Sequence, residues 1–378
     1  MNIRRILLPL LATLFLFLTT LGAIGWCRSS QQQHNQQLVQ SIQYFKHTTA
    51  KLHRSNKFGH SLAYKQSLGF FNDISDVDWM RLRKRHQETP NCGPLQCAPE
   101  PAHKWFQNNF EPTFTCLHER RIGGLGDGPK WVCDPHRIDP SNCLVYSIGS
   151  NNKFEFELSV LNEISSTCEI HTFDPTLSKD VLTKEGLPSN KPRNGNVHFH
   201  PWGLADHDYV HVQADTGKKM VYKTMGSIVS ALGHQKRRID LMKVDCEGCE
   251  YSTVDGWFGV GVNIGQILVE LHGGTNLRPK ITSFDWFFFR GSSNAKENTQ
   301  KVDERGVAKT FLETLQKNGY VTFHKEPNTI AGGSCIEYAL VKMSKEFFDK
   351  DPFHEKKEEE MEEEVSHVLR RKEDVHFH

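Results

Sequence analysis

Short apolar runs recur along the second half of the chain, separated by longer polar or amphipathic stretches. Five of these runs have the length of buried strands: Leu144–Ile148, Glu169–Phe173, Val197–His200, Ile239–Val244 and Ile267–Leu271. Apolar runs that alternate with longer segments are typical of βαβ units, in which helices cover both faces of a parallel sheet. The pattern therefore predicts an α/β domain with a mostly parallel sheet.

Helical spacing is found between several of these runs. Phe154 to Ile164 carries apolar residues at 154, 158, 161 and 164, and further helices are predicted over Met225–Leu232 and Val307–Asn318. Gly319 follows the last of them, where a helix commonly ends. Two late runs, Tyr320–His324 and Cys335–Val341, predict an antiparallel pair at the end of the domain.

The N-terminus has a different pattern. Arg4 and Arg5 precede an uncharged apolar run over residues 6–26, and Arg28 follows it. As a helix, this run spans roughly 30 Å, about the thickness of a bilayer core. It is longer than the apolar part of an ordinary signal peptide, and the basic residues favour a cytoplasmic N-terminus. We expect a type II signal anchor, although a cleaved signal peptide stays open.

Composition divides the rest of the 378-residue chain. Residues 1–28 are the predicted cytoplasmic tip and anchor. The Gln-, His- and Lys-rich stretch over 29–90 is typical of a stem, with an accessory helix predicted near Leu62–Gln87. Residues 91–343 form the predicted catalytic domain, with a cysteine-rich lead-in over 91–143 and a core over 144–343. Residues 344–378 form a charged tail.

The net charge and the cysteine content indicate which partners and which cellular compartment to expect. The formal net charge of +1 gives no overall basic field, so we expect no nucleic-acid partner. Ten cysteines suit the oxidising secretory pathway, in the Golgi or endoplasmic reticulum. Disulfides are expected within the cluster that precedes the core, but the sequence does not fix their pairing: Cys92, Cys97, Cys116, Cys133 and Cys143.

The first candidate chemistry lies after the first two strands of the core. Gly149, Ser150 and Asn151 stand between a strand and a helix, where backbone N–H groups can hold an anion such as the methionine carboxylate of S-adenosylmethionine. Asp174 closes the next strand, where an acidic side chain can accept the ribose hydroxyls of an adenosine. Gly203 and Leu204, after the third strand, are candidates for an adenine shelf, with Asp206 at its polar edge.

The densest charged segment ends the fourth strand. Lys243 and Asp245 alternate onto one face, and Glu247 follows in a turn. Glu270 and His272, two residues apart at the end of the fifth strand, also share a face. Because open α/β sheets bind ligands at the carboxyl ends of their strands, these side chains are functional candidates, although a structural ion pair is the competing interpretation.

Two segments carry a family resemblance. Lys243, Asp245, Glu247, Gly248 and Glu250 match the lysine–Asp–x–Glu–Gly–x–Glu stretch of FkbM-type class I methyltransferases, and a Val–Glu–x–His strand follows at 269–272. The lead-in over 126–133 resembles a membrane-anchored branch of methyltransferase-like proteins, with Pro129 where that branch tends to have a second glycine. Ser150 and Asn152 stand where the family often has further glycines. The resemblance covers residues 92–343.

This resemblance implies a Rossmann-like sheet of seven strands with the last one antiparallel, and methyl transfer from S-adenosylmethionine to an oxygen of a sugar or small molecule. We expect a cofactor set of Gly149, Ser150, Asn151, Asp174, Gly203, Leu204, Asp206 and Asp245. In the catalytic set, His272 or Glu270 would act as base, while Lys243 and Glu247 would orient the acceptor or support the base. Cys246 and Cys249 would fill variable positions without redox chemistry.

Two rival functions stay open at this level. Anchor, stem and lumenal domain also suit a Golgi glycosyltransferase, and Asp76-Val-Asp78 or Asp206-His-Asp208 would then hold a metal ion. A methyltransferase fold without catalysis, acting as a binding module, is the second. The carboxylates and His272 are compatible with a divalent cation, but the sequence indicates no metal site.

Overall fold

The computed structural model describes residues 61–93, 102–178, 196–272, 304–329 and 335–349. The predicted anchor, residues 29–60 of the predicted stem and the charged tail after residue 349 lie outside these ranges. The first residues of the predicted tail, 344–349, are described, and Phe347 among them is buried. None of the helices within them combines the length and the apolar character that crossing a bilayer requires.

The described strands form one large sheet, one hairpin and one small sheet. In chain order they are β1 (Arg120–Ile122), β2 (Lys130–Val132), β3 (Leu144–Ile148), β4 (Glu169–Phe173), β5 (Val197–His200), β6 (Trp202–Leu204), β7 (Tyr209–Val212), β8 (Lys219–Lys223), β9 (Arg238–Val244), β10 (Asn263–His272), β11 (Tyr320–Asn328) and β12 (Cys335–Lys342).

The described helices lie around the large sheet. They are α1 (Ser61–Gln66), α2 (Asp76–Glu88), α3 (Ala102–Asn108), α4 (Glu155–Ser159, continued by a π turn over Val160–Ile164), α5 (Met225–Leu232), α6 (Cys249–Thr253), α7 (Glu304–Lys317) and α8 (Lys345–Phe348).

The large sheet has seven strands in the order β11-β12-β10-β9-β3-β4-β5. β10, β9, β3, β4 and β5 run parallel, and β12 is antiparallel to both of its neighbours, β10 and β11. The order reverses between β3 and β9, which is where open α/β sheets bind ligands. The Rossmann-like sheet with an antiparallel last strand is therefore confirmed.

Alternation within the strands fills a core on each face of the sheet. Tyr146 and Met242 point to the face covered by α3, α5, α6 and α7, while Val145 and Leu241 point to the opposite face. Because both faces are covered, the central strands are apolar at nearly every position, which is the pattern that predicted them.

Residues 61–88 were assigned from composition to the stem and accessory region. They pack against the core on the face of the sheet to which Val145 and Leu241 point. Ser75 caps α2 by accepting a hydrogen bond from the Asp78 backbone N–H, and the acidic residues of the first turn suit the helix dipole. Trp79 is fully buried, and its indole N–H donates to Gln66 at 2.7 Å. The first Asp-x-Asp triplet therefore belongs to a helix start.

The hairpin β1–β2 lies on the same face of the large sheet, the face to which Val145 and Leu241 point. The Gln266 side chain on β10 accepts from the Cys133 backbone N–H at 2.8 Å and donates to the Cys133 carbonyl at 2.9 Å. This double hydrogen bond fixes the end of β2 over β10. The hairpin thereby brings Lys130 to the large sheet.

The sequence interpretation missed the small sheet, which has the order β6-β8-β7. Its strands are three to five residues long, too short for a clear alternation. Gly203 lies in β6, where a Cβ would come within 2.4 Å of the Tyr222 ring and 3.0 Å of Pro175. The glycine thus lets the small sheet pack beside the end of β4.

Three disulfides lie within the described residues. Cys116 pairs with Cys133, as expected for the lead-in cluster, but Cys143 pairs with Cys168, which lies outside that cluster. Cys246 and Cys249 are also bonded to each other. The sequence did not fix the partner of Cys143, which lies close to Cys168 because β3 and β4 start side by side.

Removing the Cys143–Cys168 bridge is expected to destabilise the domain. The bond closes a 25-residue separation, for which chain entropy gives about 3.5 kcal/mol. Denaturant unfolding of Cys143→Ala/Cys168→Ala should show this loss. The Cys246→Ala/Cys249→Ala variant is the comparison, because its bridge spans a separation of only 3 residues and should contribute less. An equal loss in both variants would contradict the entropic account.

Candidate active site

The glycine loop after β3 is pressed against the end of β9. Gly149 has φ +81°, and a Cβ at this position would lie 1.7 Å from the Asp245 carbonyl oxygen. Its N–H donates to the Phe173 carbonyl at 2.9 Å, and its own carbonyl accepts from Lys243 Nζ at 2.6 Å. The predicted loop, Lys243 and Asp245 are thus brought together at one point.

Asp174 closes the loop from the β4 side. One of its carboxylate oxygens accepts from the Ser150 N–H at 3.2 Å and the Asn151 N–H at 2.8 Å, and the other accepts from Thr176. The side chain is buried, so it braces the loop as well as lying where the ribose contact was predicted. Asn151 and the following residue have φ values of 46° and 61°, which asparagine tolerates better than most residues.

Lys130 lies at the centre of a buried charge cluster that the sequence interpretation did not identify. Its ammonium group contacts Glu337 Oε1 at 2.6 Å, Asp245 Oδ2 at 3.2 Å and Glu270 Oε2 at 3.7 Å. Only 1% of its side chain is exposed. Burial alone would lower the pKa of Lys130, but the three carboxylates outweigh burial and raise it. We call these four residues the Lys130 cluster.

The carboxylates of this cluster have different protonation states. Burial raises the pKa of Glu337 to about 8, against the lowering effect of Lys130 and with a further rise from Glu270. Burial also opposes ionisation of Asp245, but Lys130, Lys243 and His272 together hold its pKa well below the usual value. Glu337 therefore exchanges a proton near neutral pH, whereas Asp245 stays ionised.

His272 is the last residue of β10 and lies at the same edge of the sheet as Asp245. Its Nδ1 lies 3.2 Å from the buried Glu250, and its Nε2 lies 3.8 Å from Asp245 and 3.7 Å from Glu247. Burial alone would lower the pKa of His272, but Glu250, Asp245 and Glu247 raise it well above the usual value. At neutral pH the ring is an imidazolium that neutralises the surrounding carboxylates.

The turn after β9 holds Glu247 at the rim of the site. Glu247 adopts a left-handed φ of 58°, which is uncommon outside glycine, and 51% of its side chain is exposed. The Cys246–Cys249 disulfide spans this turn, and the Cys246 N–H donates to Glu250 at 3.1 Å. The cysteines thus have a structural contact that the sequence interpretation did not anticipate.

Comparison with known proteins defines the family. The family described as "Methyltransferase domain" matches residues 61–342, which is most of the chain. The chain belongs to this methyltransferase family. A comparison with curated proteins found no match.

Two solved structures resemble the methyltransferase at low identity. One is a fibrillarin pre-rRNA processing protein from Methanococcus jannaschii, at 8% identity and a TM-score of 0.32, covering 61% of this chain and 84% of that one. The other is methyltransferase FkbM from Methylobacillus flagellatus, at 12% identity and a TM-score of 0.32, covering 69% of this chain and 60% of that one.

The remaining candidates follow β5. Leu204 is buried, and the adjacent Gly203 lies against Pro175, the residue after Asp174. Asp206 pairs with its neighbour His207 at 2.6 Å. The adenine-shelf role of this segment stays a prediction. Asp208 accepts from the Thr224 N–H at 2.7 Å, next to the start of α5, so the second Asp-x-Asp triplet also serves a helix start.

The positions of Lys130 and Glu337 in the sequence carry a signal that could have identified them as site residues. Lys130 lies in the lead-in stretch 126–133, and Glu337 is an acidic residue inside an apolar strand run. An ionisable side chain buried in such a strand is costly unless it is paired, which makes it informative. The partners, however, were not visible, because they come from other parts of the methyltransferase chain.

Proposed function

We propose that this methyltransferase uses S-adenosylmethionine to methylate a hydroxyl oxygen of a sugar or small molecule. The observation that carries the proposal is Glu337, a buried carboxyl whose pKa of about 8 suits proton removal near neutral pH. One of its oxygens, Oε2, has no hydrogen-bond partner among the described residues. A hydroxyl acceptor needs such a group, because its proton must leave when the oxygen is methylated.

The strand ends fit the cofactor that this family uses. Gly149 lets the loop lie directly against the end of β9 beside Asp245, and the Asp174 carboxylate holds the loop from the β4 side. In the proposal Gly149, Ser150 and Asn151 hold the amino-acid end of the cofactor, and Asp174 holds the ribose. When bound, S-adenosylmethionine supplies a methyl group activated by its sulfonium charge.

The proton acceptor is assigned to Glu337 rather than to His272. The raised pKa of His272 keeps the ring protonated at neutral pH, so it cannot accept a further proton. Its contacts with Glu250 and Asp245 make it a positioning residue that neutralises the acidic strand ends. Glu270, whose Oε1 accepts from Asn328 at 2.8 Å, helps to keep the pKa of Glu337 high.

The pH dependence of turnover tests this assignment. Because the ionised form of Glu337 is the active one, kcat should rise as the pH increases through about 8. Glu337→Gln should reduce kcat by about 10²–10⁴-fold and remove the rising limb. The control is Glu326→Gln, which lies opposite Glu337 on the neighbouring strand β11 but is partly exposed. The pH profile of this variant should match that of the parent enzyme. A rising limb that persists in Glu337→Gln would exclude Glu337 as the base.

The function itself is tested by binding and transfer separately. Calorimetry should detect S-adenosylmethionine binding to the full chain, and methyl-labelled cofactor should label hydroxyl acceptors such as sugars. Binding without transfer to any hydroxyl acceptor would contradict O-methylation and favour another acceptor atom. A folded protein that binds no S-adenosylmethionine would favour the non-catalytic binding module.

The cellular setting belongs to the same proposal. Three disulfides among the described residues support an oxidising compartment, and the apolar run over 6–26 supports a membrane anchor with a lumenal catalytic domain. Protease added to intact microsomes should leave the domain uncut and digest it after detergent is added. Digestion without detergent would place the domain in the cytosol.

A further inference from the structure

A second cluster of titratable side chains lies at the amino-terminal end of β4, away from the strand ends described above. Glu169 is the first residue of β4, and Asp174 follows its last. At about 3.3 Å per residue, these two positions are roughly 17 Å apart. We propose that Glu169, His171 and His234 form a binding site for a divalent transition metal ion of the zinc class.

The ligand atoms already converge. One donor atom of each residue lies within 4.8 Å of the other two. Glu169 Oε1 lies 2.8 Å from His171 Nε2 and 3.3 Å from His234 Nε2. Bonds of about 2.0–2.1 Å in tetrahedral geometry separate neighbouring ligand atoms by about 3.3 Å, so small side-chain rotations suffice to admit an ion. Two imidazoles and one carboxylate leave a fourth position for water.

The backbone fixes the three residues independently. Glu169 and His171 share one face of β4 because they are two residues apart. His234 directly follows Gly233, which ends α5, and its N–H donates to the Val229 carbonyl at 3.0 Å. The site would therefore join the sheet to the connection between α5 and β9.

Each ligand also has an outer partner, as metal ligands usually do. The second ring nitrogen of His171 lies 2.8 Å from His200 Nε2, and that of His234 lies 2.7 Å from the Tyr146 hydroxyl. The second oxygen of Glu169 accepts from Arg237 at 2.7 Å. These contacts orient the donors toward one another.

Access from solvent also suits a metal ion. The Glu169 side chain is 33% exposed, which gives the ion a route from solvent.

The test is a Zn²⁺ titration of the chelator-treated full chain by calorimetry. We expect one tight site per chain. His171→Ala and His234→Ala should each weaken it more than about 100-fold, and His200→Ala by about 10–100-fold through loss of orientation. His207→Ala is the matched control, because this histidine is exposed in the connection between β6 and β7 and should not change the affinity. Unchanged affinity in His171→Ala and His234→Ala would overturn the proposal.

A measurement on the unaltered protein covers the case in which a variant fails to fold. X-ray absorption at the zinc edge should show only nitrogen and oxygen neighbours, including imidazole. The competing group is Glu270, His272 and Cys335 at the other end of the sheet, which includes a sulfur donor. A sulfur neighbour, or loss of binding in His272→Ala alone, would place the metal there and contradict the site at Glu169.

Discussion

Gly149→Ala is expected to abolish S-adenosylmethionine binding. The new methyl group would lie 1.7 Å from the Asp245 carbonyl oxygen, far inside contact distance, and the residue would also have to hold φ at +81°. The loop cannot move away cheaply, because Gly149 is hydrogen-bonded on one side to Phe173 and on the other to Lys243. Overpacking and the left-handed backbone together predict about 2–5 kcal/mol of destabilisation.

Gly217→Ala separates these two causes. Gly217 also has a left-handed φ, +66°, but nothing lies within 4 Å of the Cβ that alanine would add. The Gly217→Ala variant should therefore lose only the roughly 1–2 kcal/mol of stability that a left-handed backbone costs a residue other than glycine. Its affinity for the cofactor should be unchanged. Denaturant unfolding and calorimetry on both variants provide the comparison. Cofactor binding by Gly149→Ala at parental affinity would show that this loop does not hold the cofactor.

The glycine loop shows why much of the fold was predictable. A strand, a glycine and a helix follow one another within a short stretch, so local pattern alone placed Gly149 correctly. The same is true of Asp245 and His272, because alternation in a strand fixes which side chains share a face. Each of these predictions depends on neighbours a few residues away.

The Lys130 cluster shows the limit of that approach. Lys130 meets Asp245 and Glu337 at separations of 115 and 207 residues. The contacts exist because the hairpin β1–β2 folds over β10 and β12, a tertiary arrangement that has no local period. The Cys143–Cys168 pair and the hydrogen bonds of Asp174 to the loop were missed for the same reason.

Lys130→Met is expected to cause the largest loss of stability among single charge removals in the described site. The substitution keeps the length of the side chain but leaves Asp245, Glu270 and Glu337 beside one another without their shared cation. Removing one partner from a buried ion pair typically costs about 3–5 kcal/mol. Lys84→Met on α2 is the control, since Lys84 is 54% exposed and its pair with Glu88 should contribute no more than about 1 kcal/mol.

The loss should depend on pH in a defined direction. Lys130 lowers the pKa values of Asp245 and Glu337, so its removal raises both, and the folded variant binds more protons than the folded parent protein. The loss of unfolding free energy in Lys130→Met, relative to the parent protein, should therefore be smallest in acid and grow as the pH increases to neutral. Adding Asp245→Asn to Lys130→Met removes a facing carboxylate that is ionised at neutral pH and should recover part of the stability. A deficit that is independent of pH, or a double variant that is additive, would show that Lys130 contributes packing rather than charge compensation.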